Sequence, residues 1–320
     1  MKPKSWVRVL LIVFGIIGGG ILALALAASF PFQKLRKPTI PGSNPPLTAD
    51  QLPPKPVLVE RSPGVFFGEV HPTGPAGEQR SLGIYLPKSG MNKENLPCVV
   101  IAPAGTRLFH GMDLGEGDIA EHLPYVKAGY VVVAYSLDGV LSESDATKNR
   151  AVQGAQAAFI ASNGGVNNAK TAITYALNRL RVDPKRIVVA GHSSAATLAL
   201  QVAAADPRVT ACIAYAPCTD LEARLGDGLP LLEALNPGAK PFYKSMSPKN
   251  TVAKLHCPVF LFHARDDSNV PFAESESFAQ TLKQAGGKVT FVAADSGDHY
   301  DSMIQQGIPA AQKWLAQRAW

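Results

Sequence analysis

The chain predicts an α/β fold with a mostly parallel central sheet flanked by helices, and three observations predict it. Short apolar runs at Pro97 to Ala102, Ile187 to Ala190 and Pro258 to Phe262 read as strands covered on both faces. Between them lie segments with apolar residues at helical spacing, such as Ala172, Ile173, Ala176, Leu177 and Leu180. At 320 residues the chain can bury one substantial core, and folds of this kind commonly do not divide.

Taken from the amino terminus, Val9 to Ala28 is an uncharged run of about 20 residues, long enough to cross a hydrocarbon core as a helix. Residues 1–33 therefore read as one N-terminal membrane helix, an uncleaved signal anchor. The rival is a cleaved signal peptide, with small residues at Ala25-Leu26-Ala27, which would leave a secreted or periplasmic protein. Basic residues stand on both sides of the run, so the positive-inside rule orients it weakly; the expectation is an extracytoplasmic body. Residues 34–56 carry Pro38, Pro41, Pro45, Pro46, Pro53, Pro54 and Pro56, which disfavour helix and predict an extended, semi-rigid stalk. Residues 57–320 are expected to form the α/β domain.

The formal net charge is +6, but Lys2, Lys4, Arg8, Lys34, Arg36 and Lys37 precede the first acidic residue, Asp50. Taking those six from 31 basic residues leaves 25 against 25 acidic ones. A balanced domain gives a nucleic-acid partner no electrostatic support.

Gly191-His192-Ser193-Ser194-Ala195 joins the strand at Ile187 to Ala190 to the apolar helix Ala195 to Ala205, so Ser193 stands at a strand-to-helix corner. A small residue two places before the serine allows the tight turn that presents its hydroxyl, and Gly191 supplies it. The usual second glycine is Ala195. A plainer reading makes Ser193 or Ser194 an N-cap, because serine oxygens accept from the free N–H groups of a first helical turn. A serine nucleophile also needs a base and an orienting acid further along the chain.

The acid is expected in His263-Ala264-Arg265-Asp266-Asp267-Ser268-Asn269-Val270-Pro271, which follows the strand at Pro258 to Phe262. Loops at the C-terminal ends of parallel strands carry the functional groups of such sheets. Asp267 is taken as the orienting acid and Asp266 as a turn or capping residue. After the alternating strand Lys288 to Val292 comes Asp295-Ser296-Gly297-Asp298-His299. His299 is the base of choice among seven histidines, since serine, aspartate and histidine then follow in the order that successive loops require. His192 should point away from the neighbouring hydroxyl, His256 and His263 flank a strand and fit structural roles, and His110 retains a claim from its loop. No zinc-type spacing occurs, and neither metal nor cofactor is expected.

Acyl transfer needs two N–H donors aimed at the developing oxyanion. One is the N–H of Ser194, directly after the nucleophile. The other is expected from Pro103-Ala104-Gly105-Thr106-Arg107 after the strand at Pro97 to Ala102, at Gly105 or Thr106.

With those residues placed, the stretch from about Val57 to Trp320 resembles an α/β-hydrolase. More narrowly, it is similar to the catalytic domain of the prolyl oligopeptidase family and its dienelactone hydrolase-like relatives. Val182-Asp183-Pro184-Lys185-Arg186-Ile187 before Gly-His-Ser, Ser247-Pro248-Lys249-Asn250 with Cys257-Pro258, and Asp267-Ser268-Asn269-Val270-Pro271 carry the resemblance. It implies Ser193 as nucleophile, Asp267 as orienting acid and His299 as base. Two departures stand out. The His-Gly-Gly type of oxyanion loop is Pro103-Ala104-Gly105 here, and Asp266 replaces a more typical spacer. Prolyl oligopeptidases also carry a size-screening β-propeller, whereas only some 60 residues precede the first strand here, which turns the expectation toward small substrates.

The sequence thus predicts a serine hydrolase working through an acyl-enzyme on small carboxylic esters. Its rivals are a serine-type peptidase acting on short peptides and an inactive anchored binding domain. Two excursions flank the expected site. Asp138 to Gly165 is rich in alanine and glycine, and a leucine-rich insertion of roughly 40 residues after Tyr215 either walls a pocket or covers the sheet edge. The oligomeric state leaves no trace in the sequence.

Overall fold

The computed structural model of the chain describes residues 43–75, 77–105, 108–318 and 320. The expected membrane helix at 9–28 lies outside the described residues, and none of the described helices is long and apolar enough to cross a membrane.

Nine strands among the described residues form one sheet: β1 (Val59–Ser62), β2 (Val65–Val70), β3 (Leu82–Pro87), β4 (Leu96–Ile101), β5 (Val131–Tyr135), β6 (Val182–His192), β7 (Ala211–Tyr215), β8 (Val259–Ala264) and β9 (Val289–Ala294). Their spatial order is β1-β2-β3-β5-β4-β6-β7-β8-β9. From β5 onward neighbours run parallel, while β1, β2 and β3 extend the β5 edge antiparallel. β5, β7 and β8 are buried at every position, as apolar runs without alternation require when both faces are covered.

The helices are α1 (Ile119–Lys127), α2 (Asn149–Ala161), α3 (Val166–Arg179), α4 (Ser194–Ala205), α5 (Leu221–Leu225), α6 (Gly228–Leu235), α7 (Ala239–Met246), α8 (Phe272–Gln284) and α9 (Ile308–Ala316). Alternate strand residues feed two cores. Cys98, Val100, Val131 and Val133 face the side of α3 and α4, whereas Val99, Ile101, Val132 and Ala134 face the side of α1 and α9. The connection from β4 leads to β5 on one side, and β6 lies on the other. Connections that leave in opposite directions open a crevice at the C-terminal ends of β4 and β6, and this is where the fold receives ligands.

The stalk expectation is corrected for residues 43–56, which are docked along α3. Asn44, Leu47 and Leu52 are buried. Prolines leave carbonyls without a local donor, and α3 supplies donors. The Arg179 guanidinium donates to the carbonyls of Ala49, Leu52 and Pro53 at 2.9, 3.0 and 3.1 Å, and the Tyr175 hydroxyl to that of Pro54 at 3.1 Å. The body therefore begins well before residue 57.

Asn44 also enters a buried polar knot. Its amide donates to Glu78 and to Asp138, both at 2.6 Å, and Arg80 grips Asp138 through two contacts of 3.0 and 2.8 Å. Asn168 donates to the same carboxylate at 2.7 Å. Removing one partner of a buried ion pair leaves the other charge uncompensated, so Arg80→Leu is expected to destabilise the domain by roughly 3–5 kcal/mol in urea denaturation. A second substitution, Asp138→Leu, should recover part of that loss.

The alanine- and glycine-rich excursion after β5 is ordered around α2. The insertion after β7 folds as α5, α6 and α7, and Leu229 and Leu232 bury it against the α4 side of the core.

Candidate active site

Ser193 occupies the corner between β6 and α4 with φ 56° and ψ −120°, a conformation that L-residues rarely adopt. Gly191 makes the turn feasible, since a Cβ there would lie 2.3 Å from the Ala195 carbonyl oxygen. The Ser193 N–H donates to the Tyr215 carbonyl at 2.9 Å, anchoring the corner to β7. Ser193 stands at the cap position, but its side chain makes no capping bond. The hydroxyl of Ser194 is buried with no hydrogen-bond partner. Neither serine therefore acts as a hydrogen-bonding cap.

Asp267 lies in the turn after β8, its side chain fully buried, with four contacts on its carboxylate. Oδ1 accepts the N–H groups of Asn269 and Val270, both at 2.8 Å. Oδ2 accepts from His299 Nδ1 at 2.7 Å and faces His263 Nε2 at 3.0 Å. Burial works to raise this carboxyl, but the hydrogen bonds from His263, His299 and the Val270 N–H outweigh it and hold the group well below the usual carboxylate range. Asp267, not Asp266, is thus the aspartate that meets His299.

Asp266 accepts from the N–H groups of Gly297 and Asp298 at 3.1 and 3.0 Å. In return, Asp298 accepts from the N–H and hydroxyl of Ser268 at 2.9 and 2.8 Å. The two aspartates clamp the loops after β8 and β9 to each other. In the sequence Asp266 reads as an ordinary turn or capping residue.

His299 is oriented with Nδ1 on Asp267, so its Nδ1 carries the proton and Nε2 is the basic lone pair. That Nε2 is buried and unpartnered. His192, adjacent to Ser193, donates from Nε2 to the His299 carbonyl at 2.9 Å, and the two rings lie 4.5 Å apart. Burial pushes the His192 imidazole down to about 3, so it is a neutral tie between the elbow and the base loop. His192 thus ties the His299 loop to the corner that carries Ser193, and no hydrogen bond joins the side chains of Ser193 and His299. Such bonds often tighten only when substrate is bound.

Ser194 is the first residue of α4, so its N–H has no intrahelical acceptor. Gly105 stands in the loop after β4, exposed, with φ +91°. Glycine is needed there for the backbone angle, not for crowding, because a Cβ would meet nothing within 4 Å. Thr106, the alternative donor, lies outside the described residues. The same loop reaches the elbow through Leu108, which lines a cavity with Ser194.

That cavity is apolar, walled by Leu137, Phe159, Leu198, Leu221, Phe242 and Met246. Its free space is about 20 Å³, room for about one water. The insertion after β7 therefore contributes walls as well as cover.

The model of the prolyl oligopeptidase family matches residues 124–319, the span that carries Ser193, Asp267 and His299. The chain belongs to the prolyl oligopeptidase family. Its fold is the α/β-hydrolase fold. Among solved structures it is similar to a puromycin-hydrolyzing peptidase of Mycobacterium tuberculosis, at 18% identity over 79% of this chain and 39% of that one, with a TM-score of 0.60. It is also similar to a propionate-bound thermophilic esterase of the Planctomycetes species Thermogutta terrifontis, at 20% identity over 80% and 94% of the two chains, with a TM-score of 0.55. A probable isoprenylcysteine alpha-carbonyl methylesterase of Oryza sativa subsp. japonica is 35% identical over 75 residues, 21% of this chain and 18% of the relative. The chain spans about two fifths of the matched peptidase and under a fifth of that methylesterase.

Proposed function

We propose that the protein hydrolyses small carboxylic esters through an acyl-enzyme, with Ser193 as nucleophile, His299 as general base and then general acid, and Asp267 as the acid that orients His299. The observation that carries this reading is the buried, unpartnered Nε2 of His299. Its ring is fixed by Asp267 at 2.7 Å and tied by His192 to the strained corner at Ser193.

In this mechanism the Ser193 hydroxyl attacks the ester carbonyl while His299 Nε2 takes its proton. The carbonyl oxygen becomes an oxyanion held by the N–H groups of Ser194 and Gly105, where each donor is worth on the order of 3 kcal/mol. Collapse expels the alcohol, which receives the proton from His299. Water then attacks the acyl-enzyme with His299 again as base, and Ser193 is released.

The apolar walls beside Ser194 leave free space for only about one water, which argues against long acyl chains. An esterase with bound propionate shares the fold over 94% of its length, which supports the same class. Turnover of p-nitrophenyl acetate, propionate and octanoate, set against aminoacyl p-nitroanilides, tests the reading. The short esters are expected to be fastest. Faster turnover of the anilides would replace the proposal with a peptidase acting on short peptides.

A further inference from the structure

Asp267 serves two imidazoles, and only one of them is used by the mechanism above. His263, in β8, is fully buried, with Nε2 at 3.0 Å from Asp267 Oδ2 and at 3.0 Å from the Val270 carbonyl. A carbonyl oxygen can only accept, so Nε2 carries a proton shared between the carbonyl and the carboxylate. In the neutral ring Nδ1 is then an acceptor, and the Ser275 hydroxyl of α8 donates to it at 2.7 Å. Ser275 is itself fully buried.

Ser275, His263 and Asp267 thus repeat the residue types of the proposed triad on the opposite side of one carboxylate. They are no second reactive centre, because no substrate can reach a hydroxyl with no exposed surface. Their geometry fits a different task. A carboxylate held by three N–H groups besides that of His299 cannot turn, and its Oδ2 lies where His299 Nδ1 needs it.

We infer that His263, with its tautomer fixed by Ser275, is a positioning residue that holds Asp267 for His299 and moderates the negative charge His299 faces. The inference rests on the triad reading above. The other titratable groups near His299 are Asp267 in the loop after β8, His192 at the elbow, and Asp298, Tyr300 and Asp301 beside it in the chain; the charges of Asp118 and Glu121 at the start of α1 reach Tyr300. Of these, only Asp267 is in contact with His263, so the others keep their surroundings when His263 is replaced.

The test is the dependence of kcat and KM on pH for ester hydrolysis by the wild type, His263→Leu, His263→Gln and Ser275→Ala. His263→Leu removes a donor from Oδ2, leaving more negative charge toward His299 and favouring its imidazolium. The acid limb of the profile should therefore move up by about one pH unit, the worth of one charge-assisted hydrogen bond, with kcat lowered and KM unchanged. His263→Gln, whose amide can still donate, should return the limb toward its wild-type position. Ser275→Ala should move it in the same direction as His263→Leu but less, and it decides the matter if His263→Leu does not fold. An unmoved acid limb in the folded variants, with His263→Gln as impaired as His263→Leu, would overturn the inference and leave a packing role. Failure of the triad reading looks different, since Ser193→Ala and His299→Ala would then keep wild-type turnover.

Discussion

Ser193→Ala is expected to lower kcat for a reactive ester by on the order of a millionfold and to abolish labelling by a fluorophosphonate probe. The size of the effect follows from the way the triad acts as a unit. Without the hydroxyl there is no acyl-enzyme, and His299 has no proton to move; only the donors for the oxyanion and substrate binding remain. The substitution should leave the fold intact, because the Ser193 side chain makes no capping bond and the corner is set by Gly191 and by the main-chain bond to Tyr215. Circular dichroism and the urea midpoint check that premise. Labelling of the folded variant at the wild-type rate would place the nucleophile elsewhere.

The elbow was legible because its signal is local. The strand at Ile187 to Ala190, Gly191 and the following helix occupy one stretch of chain, and a turn that tight leaves few alternatives to glycine. Asp267 and His299 were legible through chain order, since loops that follow parallel strands gather at one edge of the sheet. His263 gave no comparable signal. At the end of a buried strand, a histidine satisfied by a hydroxyl and a carbonyl reads the same as one that also meets a carboxylate. Only the turn from Ala264 to Asp267, which folds the carboxylate back over its own strand, separates the two. The reciprocal clamp of Asp266 and Asp298 was hidden for the same reason, because it joins residues about thirty positions apart. Proline content misled at residues 43–56. It forbids helix, but it says nothing about whether carbonyls in an extended segment find donors, and Arg179 and Tyr175 supply them here.

Asp267→Asn is expected to lower kcat by on the order of ten thousandfold while the protein remains folded. The reason is donor arithmetic. Oδ1 of Asp267 accepts two main-chain N–H groups, so the asparagine oxygen belongs there and its amide N–H₂ is left toward the two imidazoles. Nε2 of His263 must keep its proton for the Val270 carbonyl, so His299 has to change tautomer. Its Nδ1 then accepts and its Nε2 carries the proton, which leaves no lone pair for Ser193. The substitution also changes how stability depends on pH. The folded-state carboxyl of Asp267 titrates below its unfolded value, so its ionisation contributes stability that is fully present above a pH of about 4 and is lost as pH falls toward the folded value. The stability gap between wild type and Asp267→Asn should accordingly be widest near neutral pH and narrow in acid, as urea denaturation at pH 7 and at about pH 3 would read. A gap that stays constant on acidification would mean that Asp267 is not held as an ionised carboxylate between the two histidines, and both its orienting role and the role of His263 would fall with it.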